Sequence, residues 1–315
     1  MALRHFLDIA DWSSADIAGL IELGHAIHVN PKAYRKALDG LTLGMIFQKK
    51  STRTRVSFEV GMVQLGGHAL FLSAADIQIG RGETIADTAK VLSRYCDGIM
   101  ARVYGHSVLE ELAAHATIPI INGLSDRLHP CQTMADALTL AEHWSPPGAF
   151  DVGVLRGRKL TYVGDGNNMA HSLLNTGAVL GMDVTIAAPR GYWPDLAVMD
   201  KARARAAETG ARLHCTTDPF EAVRGADAVY TDVWASMGQE DEAAKRLKDF
   251  QGFMVDSAMM AQAKPDAVFL HCLPAHRGEE VSAAVCDGPQ SIIFDEAENR
   301  LHAQKAILVE LMSER

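Results

Sequence analysis

The chain has 315 residues, enough for two domains of about 150 residues each, and its 39 acidic against 30 basic residues give a net charge of −9. That charge repels phosphate backbones and anionic headgroups, which excludes nucleic acid and the membrane surface as partners and leaves room only for local anion sites. Apolar residues make up 48% and charged residues 22% of the chain, well away from a disordered composition.

Five cysteines, Cys96, Cys131, Cys215, Cys272 and Cys286, are odd in number and form no C-x-x-C pair. Neither a disulfide framework nor a Cys-rich zinc site is expected. The charge-free runs Val60–Ala75 and Gly166–Met182 are interrupted by Gly, Gln, Asn and His, unlike a membrane span. The start, Met1 to Asp8, lacks a secretory apolar region. The expectation is a soluble cytoplasmic protein.

In chain order, Leu43–Phe47 reads as a strand and is followed by Ser51-Thr-Arg-Thr-Arg55 and a helical pattern with Val56, Val60 and Val63 on one face. Hydroxyls and free N–H groups at a helix start, with two interleaved arginines, suit an anion such as phosphate. Thr84-Ile-Ala-Asp87 fits a capping box opening a helix through Arg94. Gly98–Arg102 and Ile118–Ile121 read as strands, the first ending in a lone arginine. Pro130 makes His129 non-helical and starts the next helix in His129-Pro-Cys-Gln132. Trp144-Ser-Pro-Pro-Gly148, with Gly153 and Gly157, marks a domain boundary between His143 and Arg158.

Beyond it, the strand Leu160–Val163 runs into Gly164-Asp-Gly-Asn-Asn168. This looks like the start of a dinucleotide fingerprint, but Met169 stands at its third small position. The next strand, Val184–Ala187, is followed by Ala188-Pro189-Arg190, with no acid for a ribose. Strand Ala228–Thr231 precedes Asp232-Val-Trp-Ala-Ser-Met-Gly-Gln239, an acid joined to a Ser/Gly loop suited to an amino acid's ammonium and carboxylate. Strand Val268–Leu270 precedes His271-Cys-Leu-Pro-Ala-His-Arg-Gly278. Neighbours on a strand face opposite ways, so His271 is poorly placed as a base for Cys272. His271, Cys272 and His276 also lack zinc-site spacing. Ile292–Phe294 reads as a last strand. Asp295–Met312 reads as an amphipathic helix with Ala297, Leu301, Ile307, Leu308 and Leu311 inward. Strand–helix alternation throughout predicts α/β domains with mainly parallel sheets.

These six segments, in this order, resemble the aspartate/ornithine carbamoyltransferase family over nearly the whole chain, from Arg4-His-Phe-Leu-Asp8 to Glu296-Ala-Glu-Asn-Arg300. His129-Pro-Cys-Gln132, the Ser236-Met-Gly238 loop and His271-Cys-Leu-Pro274 are similar to the ornithine branch; the aspartate branch has H-P-T-Q and lacks the other two. The connector Trp144–Arg158 looks longer than the family's usual one. The resemblance implies two α/β domains: a carbamoyl-phosphate-binding domain over 1–143 joined by a returning helix over 296–315, and an ornithine-binding domain over 151–295. It implies transfer of the carbamoyl group of carbamoyl phosphate to the δ-amine of L-ornithine, giving citrulline and phosphate in arginine synthesis or breakdown. No metal and no cofactor are implied.

By resemblance, Ser51, Thr52, Arg53 and Thr54 hold the phosphate, and Arg102 and His129 contact carbamoyl phosphate with Gln132 near its amide. Cys272, Leu273 and Arg300 complete that site, while Gln78 reaches it across a subunit interface of a homotrimer or an assembly of trimers. Asn168, Asp232, Ser236 and Met237 bind ornithine. Arg102, His129 and Cys272 are the catalytic candidates. Two other function classes stand beside this one: a nicotinamide-dependent oxidoreductase built on Gly164–Asn168, and a non-catalytic amino-acid-binding regulator. Within the family, putrescine or an acylated ornithine are the competing acceptors.

Overall fold

The structure is a computed structural model that describes residues 3–75, 77, 82–235 and 240–313. It divides into two units, one of residues 1–138, 146–152 and 298–315, the other of residues 139–145 and 153–297. No helix among the described residues is long and apolar enough to cross a membrane.

The first unit carries β1 (Thr42–Phe47), β2 (His68–Ser73), β3 (Gly98–Arg102) and β4 (Ile120–Leu124), all parallel, in the spatial order β2-β1-β3-β4. Helices α1 (Ser14–Val29), α2 (Thr52–Gln64), α3 (Ile85–Leu92), α4 (His106–His115) and the start of α5 (Pro130–Trp144) accompany the sheet. Central β3 is buried along its whole length and β1 after its first residue, as expected for strands covered on both faces. Ile46, Ile99, Ala101 and Ile120 from the sheet pack with Leu109 and Leu112 of α4.

The second unit carries β5 (Lys159–Val163), β6 (Asp183–Ala187), β7 (Leu213–Thr216), β8 (Ala228–Thr231) and β9 (Val268–His271), again all parallel, in the order β7-β6-β5-β8-β9. Its helices are α6 (Asn168–Leu180), α7 (Leu196–Thr209), α8 (Pro219–Val223), α9 (Ala243–Asp249), α10 (Ser257–Met260), α11 (Ala283–Cys286) and the first turn of α12 (Ile293–Met312). From Glu298 onward α12 belongs to the first unit. There Leu301, Lys305 and Leu308 close over Gly61 of α2, within 3.4–3.9 Å of where a β-carbon would stand. The fold is therefore the expected pair of parallel α/β units with a returning terminal helix.

Several expectations shift. Val56 and Val63 do not form the buried face of α2; they are 51% and 64% exposed. The inward stripe is Thr54, Ser57, Phe58, Gly61 and Met62, also at helical spacing, so polar and small residues took the core positions. Ile292–Phe294 is not a strand: a single bridge joins Ser291 to Phe269, the Ile292 N–H bonds the Phe269 carbonyl at 3.0 Å, and α12 begins at once. β4 starts at Ile120 because Pro119 has no N–H for the ladder. The capped helix at Thr84 ends at Leu92, two residues early. The edge strands β2 and β7 were not anticipated; β7 is a short Leu-His-Cys-Thr with little hydrophobic signal, while β2 carries the apolar run Ala69–Leu72, part of it exposed at the sheet edge.

In each sheet the chain reverses its direction of growth once, between β1 and β3 and between β5 and β8. Crevices open outside the carboxyl ends of strands at such points. The turn leaving β5 is fixed by Gly166, whose N–H donates to the Tyr192 carbonyl at 2.7 Å and whose missing β-carbon would lie 2.4–2.5 Å from the backbone of Tyr192, Trp193 and Pro194. Backbone cannot retreat as a side chain can. Gly166→Ala should therefore cost about 1–3 kcal/mol, the range for overpacking, read as a lower urea midpoint; an unchanged midpoint would mean that this approach is not tight.

Candidate active site

At the reversal point of the first sheet, three segments meet. Ser51 caps α2, its hydroxyl accepting the Thr54 N–H at 3.2 Å, so the first turn presents its remaining N–H groups beside Thr52 and Arg53. Arg102 ends β3 in register with Phe47 and is 5% exposed. A guanidinium nitrogen of Arg102 lies 3.5 Å from the Thr54 hydroxyl. Arg300 of α12 donates to the same hydroxyl at 3.2 Å and to the Gln132 amide oxygen at 2.6 Å, while the Gln132 amide nitrogen donates to Asp136 at 2.9 Å. Thr54 and Gln132 thus connect α2, α5 and α12.

His129, immediately before α5, is 5% exposed. Burial holds its pKa well below the ordinary histidine value, and the charges of Arg300, Arg102 and Arg53 press it down further. Arg102 and Arg300 both reach the Thr54 hydroxyl, and with Arg53 their charges act on this imidazole. Such a pocket offers fork-shaped donors, hydroxyls and a helix start to an anion. Arg55 pairs with Glu59 at 3.5 Å and stacks on Phe71 at 3.8 Å, and with Lys49, Lys50, Ser51 and Thr52 it lines an open cleft of about 700 Å³. Cys131 donates to the Asn122 carbonyl at 3.3 Å, and burial pushes its thiol up to about 12, so it is inert packing.

At the reversal point of the second sheet, Asn167 caps α6 by accepting the Met169 N–H at 3.0 Å, and Asn168 is the helix's first residue. Asp232 leaves β8 and is 7% exposed; its Oδ1 accepts the Val233 N–H at 2.8 Å and the Cys272 thiol at 3.1 Å. Leu273 follows with φ +59°. Burial raises the Tyr162 hydroxyl well above its usual pKa, and the charges of Asp232 and Asp165 raise it further. Burial also raises the Asp165 carboxyl, against the pull of Arg246, which donates to it at 2.6 Å and to the Trp234 carbonyl at 2.8 Å. Gln78, Ser236 and Met237 lie outside the described residues.

The space left by Gly166 is filled by the chain's own backbone at residues 192–194. A dinucleotide fingerprint uses that space for pyrophosphate. The oxidoreductase reading therefore has no room here. A nucleophilic Cys272 also loses support: its S–H donates to a carboxylate, and both ring nitrogens of His271 are engaged, Nδ1 by the Leu273 N–H at 2.9 Å and Nε2 by Glu280 at 3.2 Å. Among the described residues, three trios bring metal-capable atoms within 4.8 Å: Asp232, His271 and Cys272; His28, Glu298 and His302; His276, Glu279 and Glu280. The first is this hydrogen-bond network.

Sequence reasoning missed Arg246, Glu280 and Glu296. Arg246 lies 81 positions from Asp165, and nothing local marks it as that acid's partner.

The histidine gives a pH test. The folded chain resists protonating His129 while the unfolded chain takes the proton near pH 6.5, so stability from this site is complete above that value and falls as pH drops below it. In an NMR titration the His129 ring should stay neutral across about pH 6–8, and Arg300→Gln should move its transition upward. An ordinary titration in the wild type would contradict the electropositive pocket.

Residues 4–142 match the family described as aspartate/ornithine carbamoyltransferase, carbamoyl-P binding domain, and residues 156–311 match the Asp/Orn binding domain of the same enzymes. An ornithine carbamoyltransferase from Anoxybacillus flavithermus is 56% identical over 313 residues, covering 98% of this chain and 96% of the relative. An anabolic ornithine carbamoyltransferase from Pyrococcus furiosus is 53% identical over 314 residues, covering 99% and 97%. The solved structure of an ornithine carbamoyltransferase from Pyrococcus furiosus superposes with a TM-score of 0.93 at 53% identity, covering 99% of this chain and 98% of that one. The chain belongs to the aspartate/ornithine carbamoyltransferase family.

Proposed function

We propose that the chain transfers the carbamoyl group of carbamoyl phosphate to the δ-amine of L-ornithine, releasing citrulline and phosphate. The observation that carries this reading is the convergence of Arg53, Arg102 and Arg300 on a neutral His129 at the start of two helices. In this reading Ser51, Thr52, Arg53 and Thr54 bind the phosphate. Arg102 and His129 donate to the carbonyl oxygen, which gains negative charge as nitrogen attacks. A neutral imidazole donates there without adding to the repulsion among the arginines, and fixed donors aimed at developing charge lower the barrier directly. Arg53 and Arg102 neutralise the departing phosphate. Gln132, held by Arg300 and Asp136, orients the carbamoyl amide.

The second unit takes ornithine. Asp232 is the counter-charge for an ammonium group, with Asn168 beside it and Ser236 and Met237 assigned to the amino-acid end. The δ-amine, with a lysine-like pKa of roughly 10.4, is mostly protonated in neutral solution, so the site must select or create its neutral form. The leaving phosphate is the group for that proton, since the Cys272 sulfur already carries the hydrogen that it donates to Asp232. All five cysteines are free thiols, which supports a reducing, cytoplasmic setting. The relative named anabolic supports a biosynthetic direction.

The test is carbamoylation of ornithine, putrescine, acetylornithine and aspartate in parallel. Ornithine should be the one efficient acceptor. Arg53→Ala should cost about 2–5 kcal/mol in kcat/KM for carbamoyl phosphate, whereas Asp232→Asn should raise the ornithine KM and leave carbamoyl phosphate affinity nearly intact. Putrescine turned over as well as ornithine would remove the amino-acid reading of Asp232.

We further propose a homotrimer. Val56 and Val63 of α2, Leu70 and Phe71 of the edge strand β2, and Tyr95, 75% exposed, leave apolar surface on the first unit. Light scattering should give about three times the 34.1 kDa of one chain, and Val63→Glu should shift the mass downward. A fully active monomer at assay concentration would refute it.

A further inference from the structure

We propose that His271 is the positioning residue of the acceptor site: its imidazole holds Leu273 in a left-handed conformation and thereby aims the Cys272 thiol at Asp232. The consequence for ornithine rests on the function proposed above; the geometry does not.

His271 is fully buried and touches no solvent. It is the last residue of β9, in register with Thr231 of β8. Its N–H donates to Glu296 Oε2 at 2.9 Å, and Glu296 Oε1 accepts the Tyr230 hydroxyl at 2.9 Å. One buried carboxylate at the start of α12 thus fixes the backbone of β9 and a side chain of its neighbour.

The ring has one workable protonation state. Nδ1 accepts the Leu273 N–H at 2.9 Å, so it carries no proton. The proton sits on Nε2 and is donated to Glu280 Oε1 at 3.2 Å. The other neutral tautomer would set two N–H groups against each other at Leu273 and two acceptors against each other at Glu280. Glu280, itself fully buried, also accepts the His276 N–H. The imidazole is therefore a rigid spacer from a buried carboxylate to one backbone N–H.

That N–H belongs to the one non-glycine residue with positive φ among the described residues, Leu273 at +59°. An L-residue is unfavourable there unless neighbouring contacts impose the conformation. Cys272 lies between His271, fixed by the ladder and Glu296, and Leu273, fixed by the ring. Its thiol reaches Asp232 at 3.1 Å from that restrained position. His271 acts through Cys272 and Leu273 and contacts no substrate.

Two isosteres separate the halves of the ring. His271→Gln places an amide near Nε2, keeping a partner for Glu280 and losing the acceptor for Leu273. His271→Asn places an amide oxygen near Nδ1, keeping that acceptor and leaving Glu280 without its ring partner. The Gln variant should be the more heat-stable, yet raise the ornithine KM about tenfold, the worth of one hydrogen bond, with the carbamoyl phosphate KM unchanged. The Asn variant should be the less stable, yet keep an ornithine KM near that of the wild type. Cys272 alkylation by iodoacetamide, read by peptide mass spectrometry, should accelerate in the Gln variant and not in the Asn variant. A purely structural role would rank both variants in one order for melting temperature, KM and alkylation, and that result would overturn the proposal. Wild-type protein that makes no citrulline would sink the ornithine reading alone, because the alkylation order still decides the role of His271.

Discussion

Three guanidinium charges act on one buried imidazole in the first unit, two of them reaching the same Thr54 hydroxyl, and much of that unit follows from having to hold them there. Like charges a few ångströms apart repel by several kcal/mol at the effective dielectric of a protein surface, about 4 kcal/mol at 4 Å. Left mobile, they would spread into solvent. Here each comes from a different rigid element: Arg53 from the first turn of α2, Arg102 from the end of β3, Arg300 from α12. Thr54 and Gln132 are neutral acceptors for Arg300, so they orient its charge without cancelling it. Positive potential assembled before an anion arrives needs no reorganisation during the reaction, which is the condition under which fixed charges accelerate chemistry most. The depressed pKa of His129 comes first from its burial, and the same field lowers it further.

The second unit solves the opposite problem. Asp165, Asp232, Glu280 and Glu296 are buried or nearly so around the ends of β5, β8 and β9. Each has a donor at hydrogen-bond distance: Arg246 for Asp165, the Val233 N–H and the Cys272 thiol for Asp232, His271 for Glu280, Tyr230 and a backbone N–H for Glu296. Arg246 brings Asp165 a full positive charge, whereas Asp232 is met by a backbone N–H and a thiol, so negative charge stays near the Tyr162 phenol and adds to the effect of burial in raising its pKa. A site that must attract an ammonium group and then favour a neutral amine needs that balance: enough negative charge to recruit, and groups nearby that can accept a proton.

The sequence disclosed the strand ends better than the partners gathered there. Ser51–Arg55, Arg102, His129, Asn168, Asp232 and Cys272 all follow apolar strands, and parallel α/β sheets deliver strand ends to one edge. Buried central strands such as β3 and β8 were legible because they are continuous apolar runs. The edge strand β7 was not, since His214 and Thr216 break its apolar signal, and β2 was missed although Ala69–Leu72 is an apolar run. The faces of α2 were misread for a related reason: Val56 and Val63 have helical spacing, but so do Thr54, Ser57, Phe58 and Gly61, and only the returning α12 over Gly61 decides which set goes inward. Arg246 and Glu296 were invisible because pairing across the fold leaves no trace in local sequence, whereas Glu280 lies only nine residues after His271 and was passed over because nothing in that loop marks which acid turns inward. The turn at Gly166 was legible as a turn, but not its purpose; the backbone that fills its space arrives from residues 192–194.

Two of the motifs contain a cysteine next to a chemically suggestive neighbour, and burial assigns them opposite fates. Cys131 sits beside Pro130 in the anion-site helix, where its position two residues from His129 invites a reactive role. It is fully enclosed, bonded to the Asn122 carbonyl, and pushed up to about 12 by burial even though Arg300 pulls the other way. A thiol that the charge of a neighbouring guanidinium cannot ionise contributes packing and nothing else. Cys272 is only part-buried, held between two fixed residues, and faces a carboxylate. An S–H donated to a carboxylate along a defined line is a recognition contact, not the arrangement of a nucleophile. Proximity in sequence to a functional residue is therefore a poor guide to thiol chemistry here. The decisive variables are the enclosure of the sulfur and the sign of the group it faces, and the strand ends of the second unit set both for Cys272.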